Sequence, residues 1–327
     1  MSMGPDGPGA GRMAGLGGAA VAALGHVARR GRIVLLLGLA AGIAFPRLAE
    51  AARPFIAEMA AVLLYLAALR IGPGAAAWGL RGIGGPLAAV LLYQMALPVA
   101  VAGAALAAGL GGPMAGALVL MAAAPSIAGG PSLTALAGAD PAPAMRLLVL
   151  GTALLPLTAL PAFWLSPGLG APAAVAVAAG RLLLVIAGAT GLALLTRRLA
   201  LPAPGPAALR ALDGLQVIGL AVLVVGLMAA VGPALRDAPA AAARAGALAV
   251  GANFGLQLLA FAALSAPRLR GLRVGYAVVA GNRNMALFLA ALPPAVTDPM
   301  LLFIGLYQVP MFLTPALLGP LYRRAAG

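Results

Sequence analysis

Cysteine and lysine are both absent from the 327 residues, histidine occurs once, at His26, and only seven positions are Asp or Glu. Each absence removes a class of chemistry. Without cysteine there are no disulfides and no thiolate nucleophiles. Without lysine there is neither a Walker-type phosphate loop nor a Schiff base. One histidine cannot build a His-based metal cluster. No nucleophile–base–acid set falls within the apolar segments, which argues against an integral membrane enzyme. Charge of either sign is scarce: 9% of the residues are charged, against about 25% in a soluble domain.

What the chain has instead is apolar length. Hydrophobic residues make up 63% of it, arranged in blocks of roughly 20, the length that crosses a bilayer core as a helix. The expectation is an all-α polytopic membrane protein with the lipid bilayer as its main surroundings. Aromatic content is low and Gly and Ala are abundant, so helices can approach closely through small-residue contacts. The net charge of +14 is carried by arginine alone. Those arginines flank the apolar blocks, a pattern that reads as topology control and not as nucleic-acid binding.

Residues 1–32 read as a cytoplasmic tail, disordered along its Gly- and Ala-rich stretch. Arg29 and Arg30 precede an apolar run in the manner of a cleavable signal, but further spans follow at once, favouring an uncleaved first helix. Ten spans are expected, at 33–52, 54–70, 86–108, 114–138, 141–165, 173–196, 207–232, 243–264, 272–295 and 299–322. With the N-terminus inside, the inner segments hold Arg12, Arg29, Arg30, Arg32, Arg70, Arg81, Arg146, Arg197, Arg198, Arg210, Arg268, Arg270, Arg273, Arg323 and Arg324. The outer segments hold Arg47, Arg53, Arg236 and Arg244. Arg181 and Arg283 fall within spans. This asymmetry agrees with the positive-inside rule for ten helices and cytoplasmic N- and C-termini. The uncharged "SPGLGAP" at 166–172 divides the spans into two five-helix repeats, 33–165 and 173–323. An odd number of spans per half requires the halves to insert with opposite orientation, the inverted-repeat plan of many secondary transporters.

The fourth span of each half is interrupted. "MAAAPSIAGGPSLTALAG" (121–138) contains Gly129, Gly130 and Pro131, which cannot sustain a regular helix. "VVAGNRNMALF" (278–288) places Arg283 between Asn282 and Asn284. The pieces on either side are too short to cross alone, and unwound backbone at membrane depth is tolerated only where protein buries it or it lines a cavity. Two such breaks meeting at the midplane make a candidate substrate site, with Ser126, Gly130, Pro131, Ser132 and Thr134 from the first and Asn282, Arg283 and Asn284 from the second. The bland alternative is a pair of Gly/Pro kinks without a ligand. An arginine at a span centre costs roughly 2.5–3.5 kcal/mol on insertion scales, so it needs carbonyls, polar neighbours or an anion, unless it snorkels to an interface. Acidic partners are few, and only Glu58 lies clearly inside a span. Gln94, Asn253 and Gln257 (the last two four apart on one helix face) are further candidates for the same cavity. Gln308 is another intramembrane polar residue. Singly, each is more often an interhelical hydrogen bond than a ligand.

"YQMALP" in the third span, "AGGPSLTALAGADPAPAMRLLVLGTALLPLTALP" across the fourth and fifth, "GANFGLQLLAF" in the eighth and "AGNRNMAL" in the ninth resemble, in order and spacing, the bile acid:sodium symporter family and its bacterial relatives. The resemblance covers the chain from about residue 33. It implies ten helices as two inverted repeats, with the fourth and ninth broken and crossing. It further implies a bacterial inner-membrane location and transport of bile acids or smaller carboxylates. The family's sodium ligands are not matched. Its Ser-Asn in the fourth helix corresponds to Pro131-Ser132 or Gly130-Pro131, its polar ligands early in the fifth helix to positions around Ala144 and Leu148, its Glu to Val279 and a Gln to Arg283. Asn284 is kept.

The expectation is therefore a carrier of a small organic anion with no sodium or other cofactor. In it the Arg283 guanidinium takes the space and charge of the missing ion, bonds to carbonyls of the crossing break, and leaves a positive site facing the anion. Two alternatives remain open: a non-transporting sensor or scaffold of the same fold, and an efflux carrier resembling the auxin-efflux or arsenite carriers.

Overall fold

The computed structural model describes residues 8–74, 82–165 and 171–326. Arg81 and all but the last two residues of the "SPGLGAP" linker lie outside them. The described residues are mainly helical, with no strand among them. The chain starts with α1 (Pro8–Arg29), α2 (Gly31–Ala44) and α3 (Pro46–Ala52), which runs through a 3-10 turn at Arg53–Phe55 into α4 (Ile56–Ile71). Next come α5 (Gly84–Leu91), a π-helical turn at Leu92–Ala96, and α6 (Leu97–Ala107). They are followed by α7 (Gly112–Ala123), α8 (Gly130–Leu136), α9 (Ala142–Thr158) and α10 (Leu160–Trp164). The second half comprises α11 (Pro172–Leu199), α12 (Pro206–Leu227), α13 (Val231–Asp237), α14 (Pro239–Ala263), α15 (Arg270–Gly281), α16 (Ala286–Ala291), α17 (Pro294–Thr297), α18 (Leu301–Leu317) and α19 (Gly319–Ala326).

Six continuous helical stretches among the described residues are long and apolar enough to cross a membrane: Pro46–Ile71, Gly84–Ala107, Pro172–Leu199, Pro206–Asp237, Pro239–Ala263 and Pro294–Leu317. Three shorter apolar helices, Gly31–Ala44, Gly112–Ala123 and Ala142–Thr158, lie beside them. This is a membrane-embedded helical protein.

Two expectations change. A helix occupies Pro8–Arg29, where the Gly/Ala-rich composition reads as a disordered tail. Packing supplies what intrinsic propensity lacks: α1 and α2 lie along α12. Gly25 is buried against Arg210, and a Cβ on Gly214 would overlap the carbonyl oxygen of Leu24. Contacts continue from Gly31 to Val217, Gly38 to Ala221 and Gly42 to Met228, so the two helices run in the same direction. Gly214→Val is expected to release α1, read as faster tryptic cleavage after Arg29 or Arg30. An unchanged cleavage rate would mean that α1 is not docked there.

The first two spans also divide at Phe45, not near residue 53. Pro46 disfavours helical conformation in the residue before it, and Phe45 sits at φ −120°, ψ 78° while Pro46 opens the next helix. Pro54 is absorbed by the 3-10 turn. Arg47 and Arg53 therefore ride on the second span.

The helices form two groups. In the first, α12 packs on α1, α2, α3 and α4, and α4 packs on α11. In the second, α15 packs on α14, α9 and α8, α14 on α18, and α6 on α7. Half-exposed ion pairs sit at the two ends of α4, Arg53 in the turn just before it bonding to Asp298 at 2.6 Å and Arg70 in its last turn to Asp213 at 2.7 Å.

Candidate functional site

The two interrupted helices meet. α7 stops at Ala123 and α8 begins at Gly130, while α15 stops at Gly281 and α16 begins at Ala286. Twelve residues rise about 18 Å and seven about 10 Å, so no piece spans a bilayer core. Between them the backbone is extended, and the two breaks pair antiparallel at Ser126 and Arg283. The Ile127 N–H donates to the Asn282 carbonyl at 3.0 Å, and the Asn284 N–H to the Pro125 carbonyl at 2.8 Å. Backbone groups that neither helix can satisfy satisfy each other.

Arg283 crosses this junction. Its Nε donates to the Ala280 carbonyl at 2.8 Å and its Nη1 to the Ala124 carbonyl at 2.9 Å. Those oxygens belong to the last turn of α15 and the residue after α7, where helix dipoles concentrate negative charge and favour a cation. The Arg283 Cζ lies 5.0 Å from the centroid of the Tyr93 ring, within cation–π range. Nη2 has no hydrogen-bond acceptor among the described residues. The side chain is 1% exposed. It neither snorkels to an interface nor touches a carboxylate, and it is shut off from any space through which an anion could reach it.

A second set of polar side chains holds the end of α15 from the far side. Asn253 Nδ2 donates to the Gly281 carbonyl at 2.6 Å, and the Tyr307 hydroxyl donates to the same oxygen. Gln257 Nε2 donates to Asn253 Oδ1 at 2.7 Å and to Thr314 Oγ1 at 3.0 Å. Thr314 donates to Asn282 Oδ1 at 3.3 Å, and the Tyr322 hydroxyl to Gln257 Oε1 at 3.0 Å. Asn253, Gln257 and Asn282 have no exposed surface, so as placed they brace the break and do not line an open cavity. Gly281 makes the approach possible, since a Cβ there would overlap the Asn253 carbonyl oxygen.

Gln94 is buried but points elsewhere. Its Nε2 donates to the Gly151 carbonyl at 3.2 Å, and its Oε1 accepts from the Thr158 hydroxyl at 2.7 Å. It sits in the π-helical turn Leu92–Ala96, which precedes Pro98, a residue without an N–H to continue the regular ladder. The wider turn lets the neighbouring Tyr93 face Arg283 while Gln94 faces α9. On the first break, Ser126 is buried and donates to the Ile127 carbonyl at 3.1 Å. Thr134 bonds back to the Gly130 carbonyl at 3.0 Å. Gly130 and Pro131 are buried, Asn284 is partly buried, and Ser132 is exposed with Ala128 and Gly129. Gln308 bonds within its own helix, to the Ile304 carbonyl at 3.2 Å.

Sequence reasoning passed over Tyr93, Tyr307, Thr314 and Tyr322. The two glutamines flagged at 94 and 308 each follow one of these tyrosines, which is a usable signal. Thr314 and Tyr322 carry none.

The positions that the resemblance aligns with sodium ligands, and the carbonyls beside them, are otherwise engaged. The Ala124 and Ala280 carbonyls are taken by the guanidinium. Ala144 and Val279 pack in one apolar cluster with Val90, Leu147, Leu150 and Tyr276, and Leu148 is buried as well. Compared with protein-family models and with characterised proteins, the chain matches none.

Proposed function

We propose that the protein is a secondary carrier of a small organic anion, a bile-acid-like molecule or smaller carboxylate, working by alternating access without sodium coupling. The observation that carries the reading is the antiparallel crossing of two broken helices with Arg283 bonded to a carbonyl from each strand. Discontinuous helices crossing at the midplane are how transporters place polar backbone at membrane depth. A fixed guanidinium meets there the electrostatic need that a bound cation meets in sodium-coupled relatives, without an ion gradient to discharge. An anion reaches it when the two helix groups part.

The ten-span, two-repeat plan with cytoplasmic termini in a bacterial inner membrane belongs to this proposal. Counting each broken pair as one span, and α1–α2 as the first, the described helices can be grouped into ten segments, the number this plan requires. Three observations support it: α2 and α12 run in the same direction, as the first and seventh spans must. Arg70–Asp213 joins two segments assigned to the inner side, and Arg53–Asp298 two at the outer end.

The test is uptake by reconstituted vesicles of taurocholate, acetate, pyruvate and succinate, with sodium present or replaced by choline. Saturable uptake of at least one anion, at an unchanged rate in choline, is expected. A large fall in choline would overturn the absence of sodium coupling. A second reading, a non-transporting sensor or scaffold, is favoured by the enclosure of the polar residues at the crossing; binding of these anions without flux would establish it.

A further inference from the structure

The two ends of the crossing are packed differently. At one end the half-helix α16 lies against α4 and α11. Leu287, Phe288 and Ala291 share an apolar cluster with Ile56, Ala60, Val175, Ala178 and Leu182, and Phe288 meets Phe163 edge to face at 5.6 Å. At the other end the half-helices α8 and α15 pack on α9, on each other and, for α15, on α14, all within the second group. Ala128, Gly129 and Ser132 are exposed there. The groups thus meet through α16 on α4 and α11, through α18 on α12 and the turn after it, and through α9 on α11, while α8 makes no such contact among the described residues.

One ion pair bridges the groups on the α16 side. Arg53 rides on the α3–α4 helix of the first group, and Asp298 on the turn between α17 and α18, just beyond α16. The chemically similar Arg70–Asp213 pair joins α4 to α12, both in the first group. We infer that Arg53–Asp298 is a latch holding the α16 end of the molecule closed, whereas Arg70–Asp213 is a static tie. The inference rests on the transport reading only in treating the two groups as parts that move relative to one another.

An ion pair with both partners about two-fifths exposed biases such an equilibrium modestly, by roughly two- to fivefold. That is enough to read kinetically. The chain has no cysteine, so a single introduced thiol reports alone. Ala291→Cys places it on α16, 1% exposed. In detergent, N-ethylmaleimide is expected to label this thiol roughly two- to fivefold faster when Arg53→Gln or Asp298→Asn is added. The exchanged pair, Arg53→Asp with Asp298→Arg, is expected to return the rate to its starting value. Arg70→Gln is expected to leave it unchanged, and Ser132→Cys at the open end is not expected to label faster in any of these backgrounds.

Unchanged labelling of Ala291→Cys in either single variant overturns the latch. So does acceleration of both thiols, which would report general loosening, a failure of the exchanged pair to restore the rate, or an equal effect of Arg70→Gln. A latch effect in a protein that transports no anion keeps this inference and discards the transport reading.

Discussion

Arg283→Met is expected to destabilise the protein and abolish the proposed transport, with Arg283→Lys intermediate. Methionine keeps most of the volume while removing the charge and every donor. It leaves the Ala124 and Ala280 carbonyls buried without their partner, at about 1–3 kcal/mol for each unsatisfied group. Against this stands the relief of removing a buried cation that lacks a carboxylate. Because that cation sits at two helix C-terminal ends and over an aromatic ring, part of its lost hydration is already replaced. The carbonyl loss therefore wins, by about 2–4 kcal/mol overall. Lysine restores a charge but is a single point donor in place of a fork, so it can serve one carbonyl well and not both. The measurement is the thermal unfolding midpoint in detergent alongside uptake. A midpoint that rises in Arg283→Met would mean that desolvation dominates and that the guanidinium does not hold the crossing together.

Gly281→Ala is expected to cost about 3 kcal/mol or more, as overpacking at a backbone contact does, while Gly255→Ala in the neighbouring helix is expected to gain about 0.5–1 kcal/mol. At Gly281 the new Cβ would overlap the Asn253 carbonyl oxygen. α14 and α15 would have to move apart, stretching the Asn253–Gly281 bond and the Tyr307 bond to the same carbonyl. Nothing lies within 4 Å of the corresponding position at Gly255, so only the helix-propensity benefit remains. Midpoints measured on both variants should move in opposite directions. Equal shifts would show that the two helices do not pack through Gly281.

Much of this architecture is legible beforehand because the bilayer imposes it. Where no water can meet the backbone, apolar length and proline position control where helices run. That is why the break that ends at Gly130–Pro131, where the next helix starts, and the one around Arg283 are visible as interruptions in otherwise continuous apolar blocks. The first boundary is different: Pro46 and Pro54 are equally able to end a helix by sequence, and the chain breaks before Pro46 while a 3-10 turn absorbs Pro54. The helix at Pro8–Arg29 is invisible for a related reason: its glycines offset the helix propensity of its alanines, and packing on α12 supplies the rest.

The sequence by itself determined that this is an apolar helical protein with a lone arginine placed between two asparagines at the middle of an interrupted span. Only the tertiary structure decided what surrounds that arginine. Which carbonyls end nearby, which tyrosine lies over it, and which of the 45 glycines admits a neighbouring backbone depend on contacts between different helices, as Ala124 and Tyr93 with Arg283 and Gly281 with Asn253 show. Local patterns report the demands a bilayer makes on one helix at a time, whereas hydrogen-bond partners are chosen by how the helices cross.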